Sequence, residues 1–228
     1  MKQTLTQTTP DDLQACPSPQ PLEITVDDKA ATREVIFGLG REKGLNMVER
    51  SEWNAKPGRD GMEPDWNFTM IAIHHAGRSF ACSDGAHQMP SIQDYQLSKK
   101  KFDDIGYHFS IDCAGKVYEG RDIRLKGSNL DHYNTSVIGI VLLEDMTTAE
   151  EGSDALAKAR TLMEGFGINT HNTVPSEQID ALRTLTEALK DVFLIDTLGG
   201  HREFPRQRKD GKICPGNLGM QLVEKNEI

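Results

Sequence analysis

The chain is poor in cysteine and contains no long apolar run. Four of its 228 residues are cysteines, scattered at positions 16, 82, 113 and 214. This set is too small and too dispersed for a disulfide framework. No run reaches the roughly 20 apolar residues that cross a bilayer, and the first thirty residues lack the apolar stretch of about 7–15 residues found in a secretory signal. We therefore expect no membrane span and synthesis in the cytoplasm without a signal peptide.

Basic side chains are also in deficit. The 26 Lys and Arg residues are outnumbered by 35 Asp and Glu, which gives a formal net charge of −9. This balance argues against nucleic acid as a ligand, because phosphate binding requires a basic surface. The hydrophobic content of 37% and the charged content of 27% are typical of a soluble globular protein. The length suits one domain of ordinary size with extensions.

The amino-terminal part has the composition of an extension. Residues 1–21 are rich in Thr, Gln, Pro and Asp, which predicts a poorly ordered arm. A short amphipathic helix is predicted from Asp27 to Gly38, with Gly38, Gly40 and Gly44 ending it. The main domain is predicted to begin near Met47, so the chain divides into residues 1–46 and residues 47–228.

Buried strands alternate with helices in the main domain. Two continuous apolar runs, 68–75 and 137–143, are typical of strands buried on both faces. The remaining predicted elements are strands at 107–112 and 116–119, helices at 91–102 and from Pro175 onwards, and a helical insertion within 147–172. This order predicts an α/β fold: a single domain with a central, mostly buried mixed β-sheet flanked by helices.

Three side chains stand where a metal site can form. His74 ends an apolar strand, His201 follows two glycines, and Cys214 precedes Pro-Gly. Two imidazoles and one thiolate bind zinc well and leave one tetrahedral position open. Spacing alone does not select this trio, because seven histidines and four cysteines offer other sets. On spacing alone, a core histidine is the better interpretation of His74, and the alternatives for His201 and Cys214 are a turn residue and a small buried hydrophobe.

A series of short motifs makes the sequence recognisable as a whole. From about Met47 to Gly216 it resembles the family of peptidoglycan recognition proteins and phage-lysozyme-type N-acetylmuramoyl-L-alanine amidases. The matching segments occur in the family's order, and they are VERSEWNA at 48–55, IHH at 73–75, DIGYHF at 104–109, GKVYEGR at 115–121, Asn134 with IGI at 138–140, GHR at 200–202 and CPG at 214–216.

The resemblance implies a peptidoglycan-recognition-protein-like fold and a zinc hydrolase. One Zn²⁺ ion would be held by His74, His201 and Cys214, with Tyr107 and Lys212 as catalytic residues. The implied reaction is hydrolysis of the amide between N-acetylmuramic acid and L-alanine in peptidoglycan, with zinc activating the water. Substrate contacts are expected from Asn134, His132 and Arg121, with a part in shaping a turn as the alternative for Asn134 and His132. His75 and His108 follow His74 and Tyr107 on predicted strands and should point away from these neighbours, so they are expected to be structural.

Several positions depart from the family pattern. Animal members usually carry a disulfide soon after the His-His pair, but no second cysteine closely follows Cys82. With Cys214 as a ligand, at most one disulfide can form, and free thiols suit a reducing compartment. Asp122 and Ile123 replace the Gly-Trp that is common in members preferring diaminopimelate stems, so stem preference is not inherited. The loop 203–211 is longer than in compact phage members.

Alternative functions remain at this stage. A non-catalytic peptidoglycan-binding module usually lacks the cysteine that is present here as Cys214, and a cytosolic muropeptide-recycling amidase uses an aspartate instead. With an amidase, the missing signal indicates delivery to the cell wall by another route, in the periplasm or outside the cell. One route is a type VI secretion effector, an antibacterial toxin with an immunity protein or a secretion carrier as partner. The other is a phage endolysin.

Overall fold

The computed structural model describes residues 28–152, 155–168, 170 and 173–224. The arm predicted at residues 1–21 lies outside these residues. The described helices are α1 Asp28–Glu42, α2 Gly85–Ser98, α3 Ala155–Gly165, α4 Ser176–Val192 and α5 Gly216–Glu224. The strands are β1 Asn46–Val48, β2 Met70–His75, β3 Phe109–Ile111, β4 Lys116–Glu119, β5 Val137–Leu142 and β6 Thr197–Gly200. Within the described part of the chain, no helix is long and apolar enough to span a membrane.

The strands form one mixed sheet in the order β1-β4-β3-β5-β2-β6. Strand β2 lies between β5 and β6 and is parallel to both. Strand β3 runs parallel to β5 and antiparallel to β4. All six residues of β5 and five of the six in β2 are buried, as the continuous apolar runs predict. The predicted α/β fold with a central, buried mixed sheet is confirmed.

One face of the sheet is covered by α4 and α1. Leu182, Leu185 and Leu189 recur at helical spacing on α4 and are fully buried in the main core. Ile36 and Phe37 of α1 belong to the same core. The boundary drawn at residue 46 therefore marks where the sequence resemblance begins, since α1 is packed into the domain.

The length of α1 differs from the prediction for a physical reason. The helix continues through Gly38 and Gly40 to Glu42 and does not end at Gly38. A Cβ at Gly40 would lie 2.9 Å from Met47 Sδ, so this glycine lets β1 approach the helix. Of the three glycines predicted to end the helix, only Gly44, with a φ of +92°, adopts the left-handed conformation that follows a helix end.

The other face of the sheet is covered by α2 and the segment around Trp53. Helix α2 begins at Gly85, six residues before the predicted start. Asp84 caps it, because its Oδ1 accepts a hydrogen bond from Ala86 N at 3.0 Å. Pro90 lies inside the helix. Trp53 is buried in the core on this face, beside Met89 and Ile92.

The cysteines are arranged differently from the expectation of free thiols. Cys82, in the loop between β2 and α2, forms a disulfide with Cys113, in the turn between β3 and β4. The partner comes 31 residues later in the chain, although the two Cα atoms are 5.5 Å apart. Neighbouring strands bring together cysteines that are distant in sequence, so the absence of a nearby second cysteine was misleading. Among the described cysteines, Cys214 alone is a free thiol.

Candidate metal centre

His74, His201 and Cys214 meet at the carboxyl edge of the sheet. His74 is the penultimate residue of β2, His201 directly follows β6, and Cys214 precedes α5. Parallel strands end at the same edge, which is where ligand sites form in open α/β sheets. One ligand atom from each of the three residues lies within 4.8 Å of the other two. His74 Nδ1 is 3.6 Å from Cys214 Sγ.

The outer nitrogen of each imidazole is held by an amide. His74 Nε2 lies 3.1 Å from Asn129 Oδ1, and His201 Nε2 lies 3.1 Å from Gln207 Oε1. A carbonyl oxygen only accepts, so each contact requires Nε2–H and leaves Nδ1 with its lone pair. His201 Nδ1 is buried and has no hydrogen-bond partner among the described residues. This orphaned nitrogen fits a metal ion between the three side chains.

The protonation states of the three residues also suit metal binding. Burial lowers the pKa of His74 well below its usual value, and the neighbouring His201 adds to the effect. Burial lowers the pKa of His201 as well, with a contribution from the charge of Lys212. Both imidazoles are therefore neutral at neutral pH, as metal ligands must be. Burial raises the pKa of the Cys214 thiol to about 12, so its thiolate requires a nearby cation.

An ion pair joins the two loops that carry His201 and Cys214. The carboxylate of Glu151 accepts from Arg202 Nη1 at 2.9 Å and from Asn217 N at 2.6 Å. Arg202 N in turn donates to Cys214 O at 3.0 Å. Glu151 is buried, and it belongs to the segment that leads into the inserted helix α3. The insertion therefore braces the candidate metal centre from outside.

A cleft of about 880 Å³ opens over this edge of the sheet. Its lining includes His201 and the two predicted catalytic residues, Tyr107 and Lys212. The rings of Tyr107 and His74 have centroids 5.0 Å apart. Burial raises the pKa of Tyr107 above its usual range, so the phenol keeps its proton and can donate it in a hydrogen bond. The structure thus brings both predicted catalytic residues to the candidate site.

The three predicted substrate-binding residues are placed differently from one another. His132 is exposed at the cleft, and its imidazole Nε2 lies 3.5 Å from Asp131 Oδ1. Asn134 also lines the cleft, but its Oδ1 accepts from the backbone N of Asn129 and of Leu130. Its Nδ2 donates to Leu130 O at 2.6 Å. Asn134 therefore shapes the loop that presents Asn129 to His74, and its side chain has little capacity left for substrate.

Arg121 requires a correction, because the structure does not place it at the cleft. Its side chain is buried and donates to the backbone carbonyls of Ile105, Lys126 and Asp104. A guanidinium whose nitrogens each donate to a backbone carbonyl holds these loops together and has a structural role. Arg121 was expected to contact substrate because it belongs to the matching motif GKVYEGR. A sequence motif does not show in which direction its last side chain points.

His75 and His108 contact the backbone, as expected for structural residues. His75 Nδ1 accepts from Met146 N at 3.2 Å. His108 Nε2 donates to Leu125 O at 2.9 Å, and its Nδ1 accepts from Gly139 N at 3.1 Å. Burial lowers the pKa of each to about 4.

The residues that support the candidate ligands were not among those predicted from the sequence. Asn129, Gln207 and Glu151 are polar side chains in irregular segments, where neither periodicity nor a motif marks them. For Gln207, the available signal was the unusual length of the loop 203–211, which contains it. For Asn129, the matching signal is Gly139 on the neighbouring strand. A Cβ at Gly139 would lie 2.7 Å from Asn129 Cγ.

Fold and site together define an α/β protein with a candidate His-His-Cys metal centre beside an open cleft. The family model described as N-acetylmuramoyl-L-alanine amidase matches residues 64–217. The chain belongs to this family.

The relatives of known sequence and structure are peptidoglycan recognition proteins. The chain is 39% identical over 159 residues to peptidoglycan-recognition protein SD of Drosophila melanogaster, a match that covers 63% of this chain and 81% of the relative. The crystal structure of the Drosophila SD protein superimposes with a TM-score of 0.62 at 28% identity, covering 79% of this chain and 94% of that one. Human PGRP-IBETAC, solved in complex with glycosamyl muramyl pentapeptide, shares the fold at 19% identity, with a TM-score of 0.58 over 78% and 94% of the two chains.

Proposed function

We propose that this chain is a zinc-dependent N-acetylmuramoyl-L-alanine amidase acting on peptidoglycan. The observation that carries the proposal is the convergence of His74, His201 and Cys214 with His201 Nδ1 left without a partner. Two neutral imidazoles and a thiol form the donor set that zinc prefers in a site with one open position. Zinc in such a site supplies a water-derived nucleophile at neutral pH and polarises a carbonyl oxygen.

The residues around the centre have separate tasks in the proposed reaction. Asn129 and Gln207 hold the imidazoles of His74 and His201 with Nδ1 facing the centre. Tyr107 offers a phenolic hydrogen to the oxygen that gains negative charge when the amide carbonyl is attacked. Lys212 brings a positive charge to the same cleft. Such donors accelerate acyl transfer because the charge of the amide oxygen increases on the way to the transition state.

The cleft supports peptidoglycan as the substrate class. It is open, with a volume of about 880 Å³, and its lining mixes polar groups with the aromatic rings of Phe80, Tyr95 and Phe102. His132 and Lys100 stand at the cleft and would meet the carboxylates of a stem peptide. Family membership points to the same substrate. Asn134 would act indirectly, through the loop that it holds.

A non-catalytic recognition module is the second candidate, and the names of the relatives favour it. Such a module would use the cleft for binding and would not need a thiol at the centre. The half-buried Cys214 argues for the enzyme, because its Sγ lies 3.6 Å from His74 Nδ1 and close to His201, and a thiol that only fills space has no need of two imidazoles beside it.

The test uses the full chain with purified peptidoglycan sacculi, with and without a zinc chelator. We expect release of free stem peptides that begin with L-alanine, identified by mass spectrometry. Release should stop on chelation, return when zinc is restored and be absent in Cys214→Ser. Binding to sacculi with no released peptide, in the zinc-loaded protein, would establish the recognition module and refute the amidase.

The biological setting is a separate part of the proposal. A secreted bacterial effector with an immunity protein, and a phage endolysin, stay hypotheses drawn from the sequence. The relatives described above come from animals, so an animal-type role in handling bacterial cell wall now joins those two hypotheses. All three place the site of action outside the cytoplasm of the producing cell.

A further inference from the structure

A second cluster of metal-ligating groups lies at the same edge of the sheet, where β2, β3 and β5 end. It consists of Cys82, Cys113 and Glu144, with one ligand atom of each within 4.8 Å of the others. Cys82 follows β2, Cys113 follows β3 and Glu144 follows β5. Since β2, β3 and β5 run parallel, their carboxyl ends bring the three side chains together.

Glu144 is the unusual member of the cluster. Its residue exposure is 0%, and Oε1 has no hydrogen-bond partner among the described residues. Oε2 lies 3.4 Å from Cys82 Sγ, but a disulfide sulfur has no proton to donate. A carboxyl group buried without donors is costly. Burial, with Asp145 nearby, accordingly raises the pKa of Glu144 to about 7. In the disulfide form, the residues that the structure describes therefore leave Glu144 Oε1 without a donor.

Reduction would change the cluster into a set of zinc ligands. Two thiolates and one carboxylate oxygen form a donor set that zinc and cadmium accept, with a fourth position for water. Neighbouring ligand atoms around a tetrahedral zinc lie about 3.5 Å apart, given Zn–S of about 2.3 Å and Zn–O of about 2.1 Å. The 3.4 Å between Glu144 Oε2 and Cys82 Sγ matches that spacing. We propose that Cys82, Cys113 and Glu144 form a second metal site, for a thiophilic divalent cation, that becomes available when the disulfide is reduced.

The chemistry balances with an external reductant. A dithiol donates two electrons and two protons to the disulfide, leaves as a cyclic disulfide and yields Cys82 and Cys113 as thiols. A divalent cation then displaces two thiol protons and binds both sulfurs with the Glu144 carboxylate. The side chain of Cys82 is accessible for this exchange, because the residue is exposed and Cys113 is half-buried.

Either form of the cluster ties the same two segments together. The loop between β2 and α2 carries Cys82, and its Ser79 and Phe80 line the cleft over the candidate catalytic centre. Cys113 lies in the turn between β3 and β4. A metal ion bound by the reduced cluster would therefore replace the disulfide as the link that holds one wall of the cleft.

The test uses the full chain with Cys16→Ser and Cys214→Ser, in which Cys82 and Cys113 are the remaining thiols. This background removes the thiolate of the candidate catalytic centre, so the outcome is independent of the proposed amidase activity. Cadmium is titrated into the oxidised protein and into protein reduced with a phosphine, which becomes a phosphine oxide with oxygen from water. We expect an ultraviolet cadmium–thiolate band, one ion per chain, in the reduced protein alone.

Glu144→Gln is the decisive variant, because it keeps the size of the side chain and loses the ligand charge. We expect cadmium to bind the reduced Glu144→Gln protein at least tenfold more weakly, at or above the lower end of the roughly 10–100-fold range for lost support of a metal. Glu187→Gln, on the exposed face of α4, is the matched control and should bind like the parent. No thiolate band in the reduced parent, or equal affinity in Glu144→Gln, would overturn the proposal.

A second measurement covers the case in which the substituted background does not fold. Native mass spectrometry of the unsubstituted chain should then show one zinc ion in the oxidised form and two in the reduced form. The same ion count in both forms would overturn the proposal.

Discussion

Two clusters of potential metal ligands lie at the carboxyl edge of the sheet, and they differ in how their polar groups are supported. At the candidate catalytic centre, Asn129 and Gln207 occupy the outer nitrogens of both histidines. At the second cluster, the described residues offer no donor to the Glu144 carboxyl, and its two cysteines are joined to each other. The first cluster is arranged in advance for an ion, whereas the second must first be reduced.

Hydrogen bonds to the ligand side chains distinguish a metal centre that is always available from one that forms only after reduction. Both clusters would pass a test on distance alone, since each has its ligand atoms within 4.8 Å. Ordered amide contacts fix the tautomer and the ring orientation of a histidine ligand. A carboxyl group without hydrogen-bond donors is not held in one orientation in this way. The two clusters should therefore respond differently to loss of a thiol, to pH and to loss of an outer contact.

Loss of the thiol at the candidate catalytic centre should have the largest effect. Cys214→Ser should lower amidase kcat/KM by at least roughly 10³-fold, because the ion that activates water would be held too weakly to stay bound. Stem-peptide release from sacculi measures this, with zinc content determined on the same samples. Activity within tenfold of the unsubstituted protein would show that Cys214 is not a ligand that the reaction requires.

Loss of a thiol at the second cluster should instead act on stability. Cys113→Ser opens a link between residues separated by 31 positions, and a loop of that length gives about 3–4 kcal/mol in the chain-entropy model. The free energy of unfolding in urea under oxidising conditions measures the change. Adding reductant to both proteins is the control, since it should remove the difference. A stability equal to that of the parent would show that the disulfide does not form in solution.

The pH dependence of stability should reveal the unsupported carboxyl. In the folded protein Glu144 keeps its proton up to about pH 7, whereas the ordinary pKa is 4.5. Between these values the folded state binds more protons, so raising the pH lowers the free energy of unfolding. Each pKa unit corresponds to about 1.4 kcal/mol, so the full penalty above pH 7 is on the order of 3 kcal/mol.

Glu144→Gln lacks this ionisation and therefore separates its contribution from those of the neighbouring Asp145 and His75. We expect the oxidised variant to be more stable than the parent above pH 7, and the difference to shrink towards zero as the pH falls to about 4.5. Urea unfolding of both proteins between pH 4 and pH 8 measures it. Parallel pH profiles would show that Glu144 is ionised, and therefore supported, in the folded protein.

An outer contact of the candidate catalytic centre should have a smaller effect. Gln207→Leu removes the acceptor for His201 Nε2–H and should weaken zinc binding by about 10–100-fold. Competition against a coloured zinc chelator measures the affinity. Gln207→Glu keeps an acceptor oxygen and should bind zinc more tightly than Gln207→Leu. Equal affinity in the two variants would show that the contact at 3.1 Å does not position His201.

The sequence contained most of the fold because the relevant patterns are local. The apolar runs of β2 and β5 and the helical spacing of α4 appear in the structure almost as predicted. The misplaced ends have local causes too, namely the Asp84 cap on α2 and the packing use of Gly40 in α1. In these cases a residue was interpreted by its average preference, whereas the tertiary neighbour decided its use.

The supporting residues could not be predicted, because they depend on strand order. The pairing of Cys82 with Cys113 and the approach of Glu144 follow from β2, β5 and β3 being neighbours in the sheet. Gln207 reaches His201 through a loop with no regular pattern. The family resemblance supplied the candidate ligands but carried no information on this chain's own long loop and insertion.

The brace between the ligand loops should give the smallest effect, and it tests whether the inserted segment matters to the centre at all. Glu151→Gln keeps one acceptor oxygen but loses the charge that faces Arg202, and it turns a donor towards Asn217 N. We expect zinc affinity to fall about fivefold, which corresponds to about 1 kcal/mol. Glu150→Gln is the matched control, because Glu150 is the neighbouring carboxylate, is exposed, and accepts from Asn217 Nδ2 at 3.2 Å. Chelator competition measures the zinc affinity of the two variants. If both variants lose the same affinity, the loss reflects the net charge near the cleft, and the insertion does not hold the centre in place.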